Sequence, residues 1–114
     1  MPKPPTNPSD AKKWVKAAMD AGRYIVASVH FPQRLQERGE TIKSVKAAIG
    51  RAEKVEPYPA MPEHGGTCWR VFGMGTNGKR LAIGVELYVD DDAEWSVLCT
   101  VIALADSSKK GRRR

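Results

Sequence analysis

Apolar positions in the first half of the chain recur at helical spacing, whereas those in the last third alternate. Trp14, Val15, Ala18 and Met19 form an i, i+1, i+4, i+5 stripe, with Lys12, Lys13 and Lys16 off it and Gly22 beyond it. This predicts an amphipathic helix capped by Ser9 or Asp10. Pro2, Pro4, Pro5 and Pro8 leave residues 1–9 as an extended, flexible arm. Residues 24–29, Tyr-Ile-Val-Ala-Ser-Val, are rich in β-formers and predict a strand. Pro32 suits a first helical turn and Gly39 a left-handed stop. A short helix is therefore expected over 32–38, with His30 just ahead of it. Thr41 caps the next helix, whose buried stripe is Ile42, Val45, Ala48, Ile49 and Ala52.

Residues 53–56 read as a short strand ended by Pro57 and Pro59, and 58–66 as an irregular surface loop. After Gly66 the period changes to two. Residues 67–74, 80–89 and 95–105 predict three long strands in a meander, joined by 76–79 and 90–94. Asn77-Gly78 is a strong hairpin signal, because both positions tolerate positive φ. Leu81, Ile83, Val85 and Leu87 alternate and are expected to face the helices. A tight turn at Asn77-Gly78 pairs Met74 with Leu81 and puts Arg70 on that same side. A bulge at Gly73 or Gly75 would reverse the assignment, since a one-residue slip flips every side chain. The expected fold is α+β, in the order α-β-α-α-β-β-β-β, with the helices packed on a mainly antiparallel four-stranded sheet. One globular domain over 10–106 is followed by a disordered polar tail over 107–114.

Composition adds location and partners to this outline. With 41% hydrophobic and 28% charged residues in 114, the chain is ordinary for one globular domain. No apolar run approaches the ~20 residues of a membrane helix, and no apolar segment follows the first charges. A cytoplasmic protein with no membrane partner is expected. Cys68 and Cys99 lie in apolar runs and are expected to be reduced thiols, joined only if their strands are neighbours. The net charge of +6 is uneven: +5 over residues 1–57, −4 over 58–108 and +5 over 109–114. A basic first half and tail attract nucleic acid or an acidic protein, through contacts blind to sequence and sensitive to salt.

His30, Arg34 and Arg38 recur every four residues, which stacks side chains on one helix face. An imidazole beside two guanidiniums suits a phosphodiester-cleaving site, with His30 moving protons and the arginines holding phosphate. Arg70, Lys79 and Thr100 are candidate substrate contacts from the sheet. A solvated helix face accounts for the same block if His30 caps the helix or hydrogen-bonds Glu37 and the arginines pair with Glu37, Glu40 or Glu53. Other motifs fail on context. His64 and Cys68 with His30 and Cys99 lack the compact ligand pairs of a zinc site, so no metal and no cofactor are expected. Asp90-Asp91-Asp92-Ala93-Glu94 lacks the glycine and spacing of a calcium loop. Gly73-x-Gly75-x-x-Gly78 lies between two strands and reads as a hairpin, not a dinucleotide loop. Trp14 reads as core, and Trp69 and Trp95 as packing residues before base-stacking platforms.

The block His30-Phe31-x-x-Arg34-Leu35-x-Glu37-Arg38-Gly39-x-Thr41-x-x-x-Val45 resembles a signature of a small bacterial domain family. That signature reads His-Ala-x-x-Arg-Met-x-x-Arg-Gly-Ile-Ser-x-x-x-Val, and the family looks like a relative of the BrnT and RelE ribonuclease toxins. Tyr58-Pro59, Gly78-Lys79-Arg80-Leu81 and Thr100-Val101 are similar to the family's later run, so the likeness spans about residues 14–103. Glu40 departs from the pattern, standing where the family tends to be apolar. The resemblance implies a RelE/BrnT-like fold and a metal-independent endoribonuclease or RNA-binding protein. It also implies RNA and a cognate antitoxin as partners, with His30, Arg34 and Arg38 as the functional cluster. The alternative is a non-catalytic interaction domain that binds an acidic protein or nucleic acid.

Overall fold

The computed structural model describes residues 3–27, 30–37, 39–76 and 78–103. Three helices and five strands follow in the expected order: α1 (Pro8–Asp20), β1 (Tyr24–Val26), α2 (His30–Glu37), α3 (Ile42–Gly50), β2 (Lys54–Pro57), β3 (Thr67–Met74), β4 (Arg80–Asp90) and β5 (Ala93–Ala103). The sheet has five strands, not four, in the order β1-β5-β4-β3-β2. The extra member is β1, which pairs in parallel with β5, Ile25 opposite Val97, while every other pairing is antiparallel. Among the described residues no helix is long and apolar enough to cross a membrane.

Local chemistry explains the helix ends. Asn7, not Ser9 or Asp10, caps α1, its side chain accepting from the Asp10 N–H at 2.8 Å. Pro8 takes the first helical position, where its missing N–H costs nothing. Ahead of the helix Pro5 is buried, and its carbonyl accepts from Thr67 Oγ1 at 2.8 Å. Helices α1 and α2 both end in six-to-one Schellman turns, Arg23 N–H to Ala18 O and Glu40 N–H to Leu35 O. The turns need a left-handed residue, supplied by Gly22 at φ 74° and Gly39 at φ 65°. Thr41 caps α3 through the Ser44 N–H.

The three helices cover one face of the sheet. Leu81, Ile83, Val85 and Leu87 point into that layer as expected and are essentially sealed from solvent. They meet Trp14 and Val15 of α1, Phe31 and Leu35 of α2, and Val45 and Ile49 of α3 in one core. Trp69 is also core, and Trp14 donates its indole N–H to the Trp95 carbonyl at 3.1 Å. Helix α3 lies so close to β3 that a Cβ on Gly73 would sit 1.9 Å from the Ala48 carbonyl oxygen.

Two hairpins set the register. The first closes with Gly75 N–H to Lys79 O and with Gly78 at φ 79°, so Met74 pairs with Arg80 rather than Leu81. Arg70 is thus opposite Gly84 and faces away from the helices, reversing the tight-turn expectation. The second joins Asp90 to Ala93 through Asp91 and Asp92 at φ 57° and 59°, a two-residue turn of the kind that fits the strand twist.

Candidate functional site

Helix α2 begins at His30, so that residue belongs to the helix rather than preceding it. Phe31 and Leu35 anchor α2 in the core, and Arg34 stands on the solvent side. No described acid lies within ion-pair distance of Arg34. Glu53 pairs with Arg80, and the buried Glu40 accepts from Ser44 Oγ at 2.8 Å. The His30 side chain and Arg38 lie outside the described residues, so Arg34 alone represents the expected cluster.

Two of the three candidate contacts from the sheet lie on the face away from Arg34. Thr100 and Arg70 lie on the helix-free face, where they flank Gly84 and Tyr58. The Arg70 guanidinium covers the Tyr58 ring at 4.7 Å and reaches Glu56 Oε2 at 3.5 Å. Lys79 is exposed in the hairpin after β3. Arg34 belongs to the helical layer, on the other side of the sheet.

That helical layer is strongly basic. Among the described residues, α1, α2, α3 and the cap Arg51 carry Lys12, Lys13, Lys16, Arg34, Lys43, Lys46 and Arg51 against Asp10, Asp20 and Glu37. All seven cations are exposed or half-exposed, because the apolar stripes turn the other side of each helix to the core. Lys46 also reaches over the Tyr24 ring at 5.8 Å.

The helix-free face holds a cleft of about 610 Å³. Its floor is β1, β5 and β4, with Val97, Cys99 and Thr100 prominent, and its roof is the loop carrying Met61, Glu63 and His64. A bulge in β5 opens the floor: Gly84 pairs with Thr100 and Val85 with Leu98, leaving Cys99 without a partner across the ladder. Ile25 and Met61, the two exposed large apolar residues among those described, both line the cleft.

The roof is held down by Glu86. This carboxylate is 2% exposed, yet it accepts from the backbone N–H groups of Glu63, His64 and Gly66 at 2.8–2.9 Å. His64 Nδ1 adds a contact at 3.1 Å, and its ring stacks on Tyr88 at 4.8 Å between centroids. Burial pushes the Glu86 carboxyl up, but the backbone donors of Glu63 and Gly66, the imidazole and the His64 N–H outweigh it and hold the group below the usual glutamate range. With Glu86 ionised, the His64 Nδ1 that faces it is the donor of this contact.

The two thiols are inert. Cys68 and Cys99 are free and sit on β3 and β5 with β4 between them, so the strands are not the neighbours a disulfide requires. Burial pushes Cys68 up, with Glu86 and Glu63 adding to it. Burial, then Cys68 and the same two carboxylates, push Cys99 up to about 11. Neither supplies a thiolate near neutral pH. His64, Cys68 and Cys99 do not converge as metal ligands, and no such group of three occurs among the described residues.

Sequence reasoning missed Glu86 and gave His64 only a failed metal role. The signal available was a lone acid inside the apolar run 81–89, on the strand face shared by Ala82, Gly84 and Tyr88. No protein-family model, no curated protein and no solved structure matches this chain.

Proposed function

We propose that the protein is a RelE/BrnT-like, toxin-type domain that binds RNA through its helical layer and cleaves it without a metal. The observation that carries the reading is the segregation of charge. Among the described residues seven cations face solvent from the helices against three acids, and the opposite face carries the cleft with its glutamates. A polyanion is drawn to the first surface.

In this account the 2′-hydroxyl of a bound nucleotide attacks its own phosphorus and the 5′-oxygen leaves. The products are a 2′,3′-cyclic phosphate and a 5′-hydroxyl. His30 takes the proton from the attacking oxygen and a solvent water protonates the departing 5′-oxygen, while Arg34 and Arg38 neutralise charge growing on the phosphate. Arg34 is free of ion pairing with the described acids, as that role requires. A second reading, a non-catalytic domain gripping RNA or an acidic protein such as an antitoxin, is favoured by the spread of the cations over three helices. Contact with phosphates needs neither His30 nor a proton transfer.

Purified protein incubated with end-labelled single-stranded RNA in EDTA separates the two. Cleavage to cyclic-phosphate ends is expected, slowed about 100-fold in His30→Ala and about ten-fold in Arg34→Ala. RNA retention without cleavage would leave the binding domain, and full activity in both variants would remove the cluster from the chemistry.

A further inference from the structure

The cleft on the helix-free face is a second, separate site, and it does not suit the polyanion assigned to the helices. Among the described residues neither lysine nor arginine lines it, whereas Glu63 and Glu86 do. Its other polar groups include the Tyr58 and Thr100 hydroxyls, which can accept as well as donate, and a His64 ring whose Nδ1 is engaged by Glu86. Val97 on the floor and the exposed Ile25 and Met61 give it apolar walls and lip. At about 610 Å³ it has the size of a small-molecule site rather than of a packing defect.

From these features we propose that the cleft binds a small amphipathic organic cation, an aryl- or alkylamine, with the ammonium group at Glu63 and the apolar body against Val97, Ile25 and Met61. Charge complementarity selects the cation, because Glu63 and Glu86 are the acidic residues lining this small cavity and, among the described residues, no lysine or arginine lines it. The two thiols act as internal gauges of that potential. Both are held protonated partly by Glu63 and Glu86, so the cavity that penalises a thiolate rewards an ammonium ion. Glu63 is the residue to alter, since its backbone N–H belongs to the Glu86 anchor while its side chain is exposed at the cleft. The site does not rest on the RNA reading and survives its failure.

The test is an amide NMR titration of the full chain at pH 7 with 2-phenylethylamine, matched against phenylacetate, an anion of like size. Saturable shifts are expected for the amides of Ile25, Met61, His64 and Cys99, with a Kd of about 1 mM for so small a probe. Phenylacetate should bind at least ten-fold more weakly, and Glu63→Gln should weaken the amine about five-fold while leaving distant resonances in place. Equal binding of amine and anion, shifts centred elsewhere, or unchanged affinity in Glu63→Gln would overturn the proposal.

Discussion

Replacing Glu86 with alanine is expected to lower folding stability by about 3 kcal/mol, since it strands several donors that now share one buried carboxylate. Three backbone N–H groups and the His64 ring converge on that side chain, and together they fold the loop over the cleft. The anchor also carries a pH signature. The Glu86 carboxyl is held below its ordinary value of 4.5, so the folded state binds its proton less readily than the unfolded chain does. Its contribution is present in full above that ordinary value and is lost as pH falls through the lower folded value. Urea unfolding of wild type and Glu86→Gln between pH 3 and pH 7 reads both effects. The variant should be less stable at pH 7 and should lose less on acidification. A wild-type cost under about 1 kcal/mol for Glu86→Ala would mean the loop is held by something else.

Gly73→Ala is expected to cost about 3 kcal/mol or more, because the added methyl meets backbone rather than a movable side chain. Its Cβ would lie 1.9 Å from the Ala48 oxygen and 2.8 Å from the Ala48 carbonyl carbon, so α3 must lift off the sheet. Gly50→Ala is the matched control. Nothing lies within 4 Å of a Cβ there, and alanine is the better helix former, so neutrality or a gain of about 0.5 kcal/mol is expected. Thermal unfolding of the pair decides it. A Gly73→Ala variant as stable as Gly50→Ala would show that α3 and β3 are not in the contact described.

These two sites show which parts of the molecule could be read from the chain. Local signals served well: Gly22, Gly39 and Thr41 end or begin helices, and Leu81, Ile83, Val85 and Leu87 face the core. Each depends only on neighbours a few positions away. Contacts between distant segments were not legible. Tyr24–Val26 is too short to announce a partner, and it finds one in β5, about seventy residues on, which turns the expected four strands into five. Arg70 changed sides because Gly75 and Lys79 pair across the turn, shifting the register by one. The cleft was hidden for the same reason. Glu86 sits inside an apolar run and His64 in an irregular loop, and only folding brings them within 3.1 Å. The near approach at Gly73 is likewise a property of two elements, not of either alone.

Charge segregation underlies the functional account, and the salt dependence of RNA affinity tests it most directly. Fluorescence anisotropy with a labelled single-stranded 20-mer compares wild type, Lys43→Glu/Lys46→Glu on α3, and Lys54→Glu on β2. The α3 variant is expected to bind at least ten-fold more weakly at low salt and to lose about one to two units from the slope of log K against log salt. Lys54→Glu, at an edge of the sheet, should change affinity less than three-fold. Wild-type-like binding by the α3 variant, or a larger loss from Lys54→Glu, would contradict an RNA surface on the helices.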